Sequence, residues 1–164
     1  MLLGPEIAPA RVGAASGELA ALIATPPPGV ERRPGVLAVP GYTGSKEDFL
    51  HLLPLLAQAG HPATAIDLRG QYESGGPEVV AAYTLEALGK YVAARRGDGE
   101  PRHVMGHSFG GLSCREAVLR PLLDLGEEER GDAADDRRGE RARNRTDLGM
   151  LLARTKRTMQ IAVI

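Results

Sequence analysis

Gly106-His107-Ser108-Phe109-Gly110 sets one hydroxyl between two glycines, each two residues away. A serine held on a tight turn between a strand and a helix can act as a covalent nucleophile toward an acyl carbon. The apolar pair Val104-Met105 leads into the turn, and residues 111–119 read as a helix behind it. Strand, turn and helix are the context that G-x-S-x-G requires to be a nucleophile elbow. Gly106 and Gly110 lack side chains where strand and helix backbones must pass close together. The first turn of the helix would aim unpaired N–H groups at a developing oxyanion. In a chain with 21 glycines the pattern alone is unspecific, so its surroundings decide what it means.

Those surroundings alternate between strand and helix signals. Residues 17–25 read as a strand ended by Pro26-Pro27-Pro28-Gly29, because proline cannot donate to a ladder. Val36-Leu37-Ala38-Val39 is a short apolar run of the kind buried on both faces of a parallel sheet. A glycine-rich loop, residues 40–45, follows at the strand's carboxyl end, where open α/β sheets place ligands. Ser45 and Asp48 resemble a capping box, and the helix after them carries Phe49, Leu52, Leu53 and Leu56 until Gly60 stops it. Pro54 is compatible with that helix only near its first turns.

Residues 63–68 read as the next strand, with a long loop over 69–77. Thr84 caps a helix bearing Leu85, Leu88 and Val92, which Arg95-Arg96-Gly97 closes. The strand and elbow come next. Strands alternating with amphipathic helices predict right-handed βαβ units, and hence an α/β fold with a doubly wound, mostly parallel sheet. The expected organisation is a core over residues 1–120, a charged cap-like or disordered segment over 121–157, and a terminal strand over 158–164. Between residues 127 and 145, thirteen of nineteen residues are charged and the only apolar ones are alanines, which cannot build a core.

Bulk composition narrows the function. The 164 residues suffice for one domain with a sizeable core, and 43% hydrophobic with 25% charged residues is ordinary for a globular chain. A net charge of -1 and no tryptophan give no footprint for nucleic acid or an anionic membrane. A single cysteine, Cys114, excludes an internal disulfide and suits a reducing cytoplasm. The amino terminus has no basic region before its short apolar pair, and no run reaches the roughly 18 apolar residues of a membrane span. No metal site is expected, since no two histidines sit at ligand spacing with a carboxylate or cysteine. No cofactor is expected either, because neither a P-loop nor a G-x-G-x-x-G turn is present.

Three segments in order resemble the α/β-hydrolase family. Val-Pro-Gly-Tyr-Thr-Gly-Ser at 39–45 is similar to its His-Gly-x-x-Gly-Ser oxyanion loop, with Pro40 where histidine is common. Asp67-Leu68-Arg69-Gly70-Gln71-Tyr72-Glu73-Ser74 is similar to its Asp-x-Arg-Gly-x-Gly-x-Ser loop, with Tyr72 replacing a glycine. The elbow supplies the third. The resemblance implies Ser108 as nucleophile and the backbone N–H groups of Tyr42 and Phe109 as oxyanion hole. It implies an esterase, lipase or amidase acting on a small acyl compound. A serine in place of aspartate argues against the family's epoxide hydrolases and dehalogenases.

The resemblance also implies an acid and a histidine after the serine. His51, His61, His103 and His107 all precede Ser108. Asp124 is the acid candidate if Leu122-Leu123-Asp124 is a strand remnant, and otherwise an exposed residue of a polar tail. Three readings follow: a hydrolase cut short in its last third, a binding protein keeping the elbow for structural reasons, or a chain completed by a partner. The first predicts an exposed sheet edge and self-association through it.

Overall fold

The register between two parallel strands sets the frame of the molecule. A computed structural model describes residues 7–14, 17–95, 102–131 and 161–163. Its strands are β1 (Ile7–Ala14), β2 (Gly17–Ala24), β3 (Gly35–Val39), β4 (Ala63–Ile66), β5 (Arg102–Gly106) and β6 (Ile161–Val163). They form one sheet in the order β1-β2-β4-β3-β5-β6. β3 and β5 pair in parallel from Gly35 opposite Arg102 to Val39 opposite Gly106. β4 and β6 are parallel to them, whereas β2 is antiparallel to both of its neighbours, β4 and β1. The helices are α1 (Leu53–Gln58), α2 (Leu85–Arg95) and α3 (Phe109–Gly131). The predicted α/β class and mostly parallel sheet are present.

The winding follows from where the apolar side chains go. Side chains alternate across a strand. Leu37, Val39, Ile66, Leu68 and Val104 therefore pack with Tyr91, Val92, Cys114, Ala117 and Val118 of α2 and α3 on one face. On the other face Ala24, Val36, Ala38, Ala63 and Ala65 meet Phe49, Leu53 and Ala57 around α1. From β3 the chain crosses by α1 to β4 on one side, and from β4 it returns by α2 to β5 on the other. The reversal leaves a crevice between the carboxyl ends of β3 and β5, where doubly wound sheets bind ligands.

Several local expectations hold. Thr84 caps α2, its Oγ1 accepting from the Ala87 N–H at 3.2 Å, and Leu88 and Val92 are buried. Gly60 ends α1 at φ +92, with His61 N–H donating to the Leu56 carbonyl and Gly60 N–H to that of Ala57. This is the Schellman pattern of a left-handed helix stop.

Others are corrected. The single helix predicted after Ser45 is split into a 3-10 turn over Lys46–Phe49 and the short α1, in which Pro54 sits within the first two positions. Pro54 cannot accept a preceding turn of α-helix, since its ring would strike the carbonyl four residues back. β1 went unpredicted: its buried residues, Ile7 and Val12, lie five apart and face opposite layers, so no two-residue period shows. The helix expected over 111–119 begins at Phe109 and runs to Gly131, straight across the 120/121 division. Leucine, glutamate and arginine favour helix there. The expected strand over 158–164 is described only as β6, and the rest of the charged segment lies outside the described residues.

Cys114 is fully buried in α3, and that burial pushes its thiol up to about 12. A thiol needs its anion to react. An aromatic disulfide reagent should leave the native protein unmodified and titrate one thiol in urea; rapid labelling without denaturant would contradict the packing.

Candidate active site

The elbow has the backbone that its sequence demands. β5 ends at Gly106, α3 begins at Phe109, and Ser108 between them has φ +51. A non-glycine residue in that left-handed region is strained by about 1–3 kcal/mol and persists only where its surroundings hold it. The holding contacts are visible. A Cβ on Gly106 would run into the backbone of Gly110 and Gly111, and one on Gly110 into the carbonyls of Val39 and Pro40. The His107 N–H donates to the Val39 carbonyl at 3.0 Å, continuing the β3–β5 ladder into the turn. Ser108 is exposed, and its hydroxyl makes no hydrogen bond among the described residues.

The glycine-rich loop after β3 lies against the elbow. A Cβ on Gly41 would stand 3.6 Å from the Ser108 Cβ and 3.1 Å from His107 Nδ1. Tyr42 meets Phe109 edge to face, ring centroids 5.8 Å apart. Neither the Tyr42 nor the Phe109 N–H is engaged in a hydrogen bond among the described residues. Ser108, Tyr42 and Phe109 are thus brought together by the crevice. Beside them opens a cavity of about 360 Å³ lined by Tyr42, Leu68, Arg69, Gln71, Tyr83 and Phe109 among others. Arg69 lies over the Tyr91 ring, 5.1 Å from its centroid.

The loop after β4 fastens both walls. Asp67 is wholly buried; its Oδ1 accepts from the Lys46 N–H at 2.7 Å, and its Oδ2 from Lys46 Nζ at 2.9 Å and from the Glu73 N–H at 3.2 Å. Lys46, itself only 2% exposed, also pairs with Glu47 and Glu73, each at 2.8 Å. Burial works to lower the Lys46 pKa, but hydrogen bonds to Glu47, Glu73 and Asp67 hold it above the usual lysine range. Burial likewise works to raise Glu47, and the Lys46 ammonium overrides it, keeping that carboxyl below its usual value. Tyr72, at the position where the family motif has glycine, adopts φ +40 and offers its ring to Lys46 at 4.7 Å. Ser74 closes the loop, donating to the Asp67 carbonyl and accepting from the Ala20 N–H, both at 2.9 Å. The sequence reading missed Lys46 because a lysine beside a helix cap reads as solvated.

The remaining candidates lie apart from the serine. Asp124 is inside α3, not on a strand; at about 1.5 Å of rise per residue its backbone is over 20 Å along the helix from Ser108. It cannot share a site with that hydroxyl. His103 stands opposite Val36 at the amino ends of β5 and β3, its ring 5.7 Å from that of His61. His61 itself bonds the Pro34 carbonyl through Nδ1 at 2.7 Å. His51 is exposed ahead of α1. His107 is next to Ser108, but its ring leans on Gly41 and no hydrogen bond joins the two side chains. No group of three metal-ligating side chains occurs among the described residues, and no described helix is long and apolar enough to cross a membrane.

Comparisons with known proteins agree with this geometry. Among solved structures, an epoxide hydrolase from an endophytic Streptomyces is 30% identical, with a TM-score of 0.61 over 72% of this chain and 35% of its own. Epoxide hydrolase A from Mycobacterium thermoresistibile is 26% identical, with a TM-score of 0.61 over 70% and 36%. An alpha/beta hydrolase from Novosphingobium aromaticivorans, 22% identical with a TM-score of 0.58 over 73% and 41%, shares the fold. The chain spans between 35% and 41% of the length of these three. No curated protein matches the sequence. The model of the alpha/beta hydrolase family matches residues 36–158, well over half of the chain and all three loops around Ser108. The chain belongs to the alpha/beta hydrolase family.

Proposed function

We propose that the site transfers an acyl group from a small ester or related compound to Ser108 and then to water. The observation that carries this reading is the positive φ of Ser108, on a strand-to-helix turn at the sheet's switch point. In the proposed step Ser108 Oγ gives its proton to a base and bonds to the acyl carbon, and the carbonyl electrons move to oxygen. The N–H groups of Tyr42 and Phe109 receive that oxyanion, each donor contributing on the order of 3–4 kcal/mol in related chemistry. Collapse expels the alcohol, and water repeats the sequence on the acyl-serine. The cavity beside Tyr42 and Phe109 would hold the acyl part.

The base is what the described residues lack. None of the four histidines is hydrogen-bonded to Ser108. In a serine protease, losing the histidine costs about 10⁶ in kcat and leaves roughly 10³ over water. We therefore expect slow turnover by the 164 residues alone. Self-association through the sheet edge and a cytoplasmic setting are part of the proposal.

A second reading is epoxide opening, favoured by the names of the two neighbours at 30% and 26% identity. Its chemistry differs at the nucleophile. A carboxylate attacking an epoxide leaves an ester that water can cleave, whereas Ser108 would leave an ether that water does not. Epoxide chemistry here would end in a permanent adduct.

Intact-mass analysis after a fluorophosphonate probe tests the first reading. The parent is expected to gain one phosphonyl group and Ser108→Ala none. A folded parent that gains nothing would point instead to a binding protein. A stable styrene oxide adduct lost in Ser108→Ala would support the second reading.

A further inference from the structure

Gln71 is a half-buried loop residue whose carboxamide is used at both ends. Its Oε1 accepts from the Leu68 N–H at 3.0 Å. Its Nε2 donates to the Gly41 carbonyl at 2.8 Å and to the Tyr42 carbonyl at 2.9 Å. The first of these carbonyls belongs to the same peptide unit as the Tyr42 N–H. No peptide bond among the described residues is cis, and in a trans peptide the C=O and N–H point in opposite directions. A donor that captures the Gly41 carbonyl therefore fixes the direction of the Tyr42 N–H. The second bond holds the following peptide, so the loop cannot turn over as a unit.

We infer that Gln71 is a positioning residue that orients the Tyr42 N–H toward the oxyanion site at Ser108. This rests on the acyl-transfer reading for the meaning of that N–H, and on the three hydrogen bonds for its orientation. The frame is suited to the task. Leu68, which anchors the carboxamide, is buried against the core, so the clamp is referred to the sheet and not to the loop it holds. Gly41 has no side chain and lies close to Ser108; its carbonyl accepts from the Gly44 N–H at 3.2 Å within the loop, and Gln71 adds the shorter bond from outside it. Preorganised donors stabilise an oxyanion because they need not turn at the moment of reaction. A hydrogen bond to the Gly41 carbonyl also polarises its own peptide, strengthening the N–H as a donor.

Two substitutions separate orientation from mere packing. Gln71→Met keeps length and volume but removes all three bonds. Gln71→Glu is isosteric and keeps the acceptor for Leu68, while turning an oxygen toward two carbonyls. The rate at which a fluorophosphonate modifies Ser108 is expected to fall about tenfold to a hundredfold in Gln71→Met, less than the roughly 10²–10³ for outright loss of one oxyanion donor because the N–H is misdirected and not removed. Gln71→Glu should fall at least as far, because repulsion replaces the clamp, while both variants keep a cooperative thermal transition, lowered by the lost hydrogen bonds. In amide correlation spectra the Tyr42 signal should move or split in both variants while Leu37 and Ala65 stay fixed. Parent-like labelling rates, or an unmoved Tyr42 amide, would overturn the inference. If the parent takes no phosphonyl group, the acyl-transfer reading fails separately, and the Tyr42 amide alone decides whether Gln71 sets the peptide.

Discussion

Gly110→Ala should cost at least about 3 kcal/mol of stability, the upper end of ordinary overpacking, and should eliminate labelling of Ser108 in whatever fraction still folds. The reason is what the new methyl would meet. Its neighbours are the carbonyls of Val39 and Pro40, which belong to β3 and the loop leaving it. A flexible side chain could swing aside; a strand carbonyl at the centre of the sheet cannot. The only relief is to push α3 away from β3, which opens the gap between Ser108 and Gly41 on which the site depends. Gly75→Ala is the matched control, since nothing lies within 4 Å of a Cβ there. It should change stability by less than about 0.5 kcal/mol. Chemical denaturation of both variants checks this, and similar midpoints would refute the close approach at the elbow.

Lys46→Met should destabilise by about 3–5 kcal/mol, the cost of leaving a buried charge without its partner. Asp67 is the charge left behind, fully buried, with two backbone N–H groups as its remaining donors. Pairing Lys46→Met with Asp67→Asn should recover part of the loss, because the stranded charge is gone. Failure of the double variant to recover any would show that the lysine acts through packing alone. The same cluster sets a pH signature. Glu47 is held below its usual value, so its contribution is complete above the unfolded carboxylate range near 4.5 and fades as pH falls through the lowered value. Lys46 is held above the usual lysine range, so its contribution is complete below about 10.5 and fades only at higher pH. Stability of the parent should therefore decline on the acid side more steeply than that of Lys46→Met.

How much of this could be read from the residues depends on how local each cause is. The elbow is legible because its two glycines stand at fixed spacing either side of Ser108, although the carbonyls that exclude a side chain from Gly110 belong to distant Val39 and Pro40. Thr84 is legible for the same reason, as its cap bonds lie within one turn. Pro54 marks a first turn, but where the helix breaks depends on which turn the proline joins. The sequence leaves Asp124 open between a strand remnant and a polar tail because a leucine pair suits either state, and only the continuation of α3 decides. Gln71 and Lys46 could not be found from spacing. Their partners are 30 and 21 residues away, brought near only when β3 and β4 pair. Tyr72 carries a partial signal: a bulky residue in a glycine position points to something that rewards its ring, and Lys46 is there.

The two faces of the sheet place opposite demands on inheritance. Toward α2 and α3 the strands present Leu37, Val39, Ile66, Leu68 and Val104; toward α1 they present mostly alanine, with Ala57 of the helix opposite. On the first face a substitution does damage by shrinking a side chain and leaving a void. On the second it does damage by enlarging one, because helix and sheet already touch through methyl groups. Drift in this chain is therefore filtered by size in contrary directions a few ångströms apart. Adjacent strand positions such as Leu37 and Ala38, identical in burial, should accept almost no residue in common.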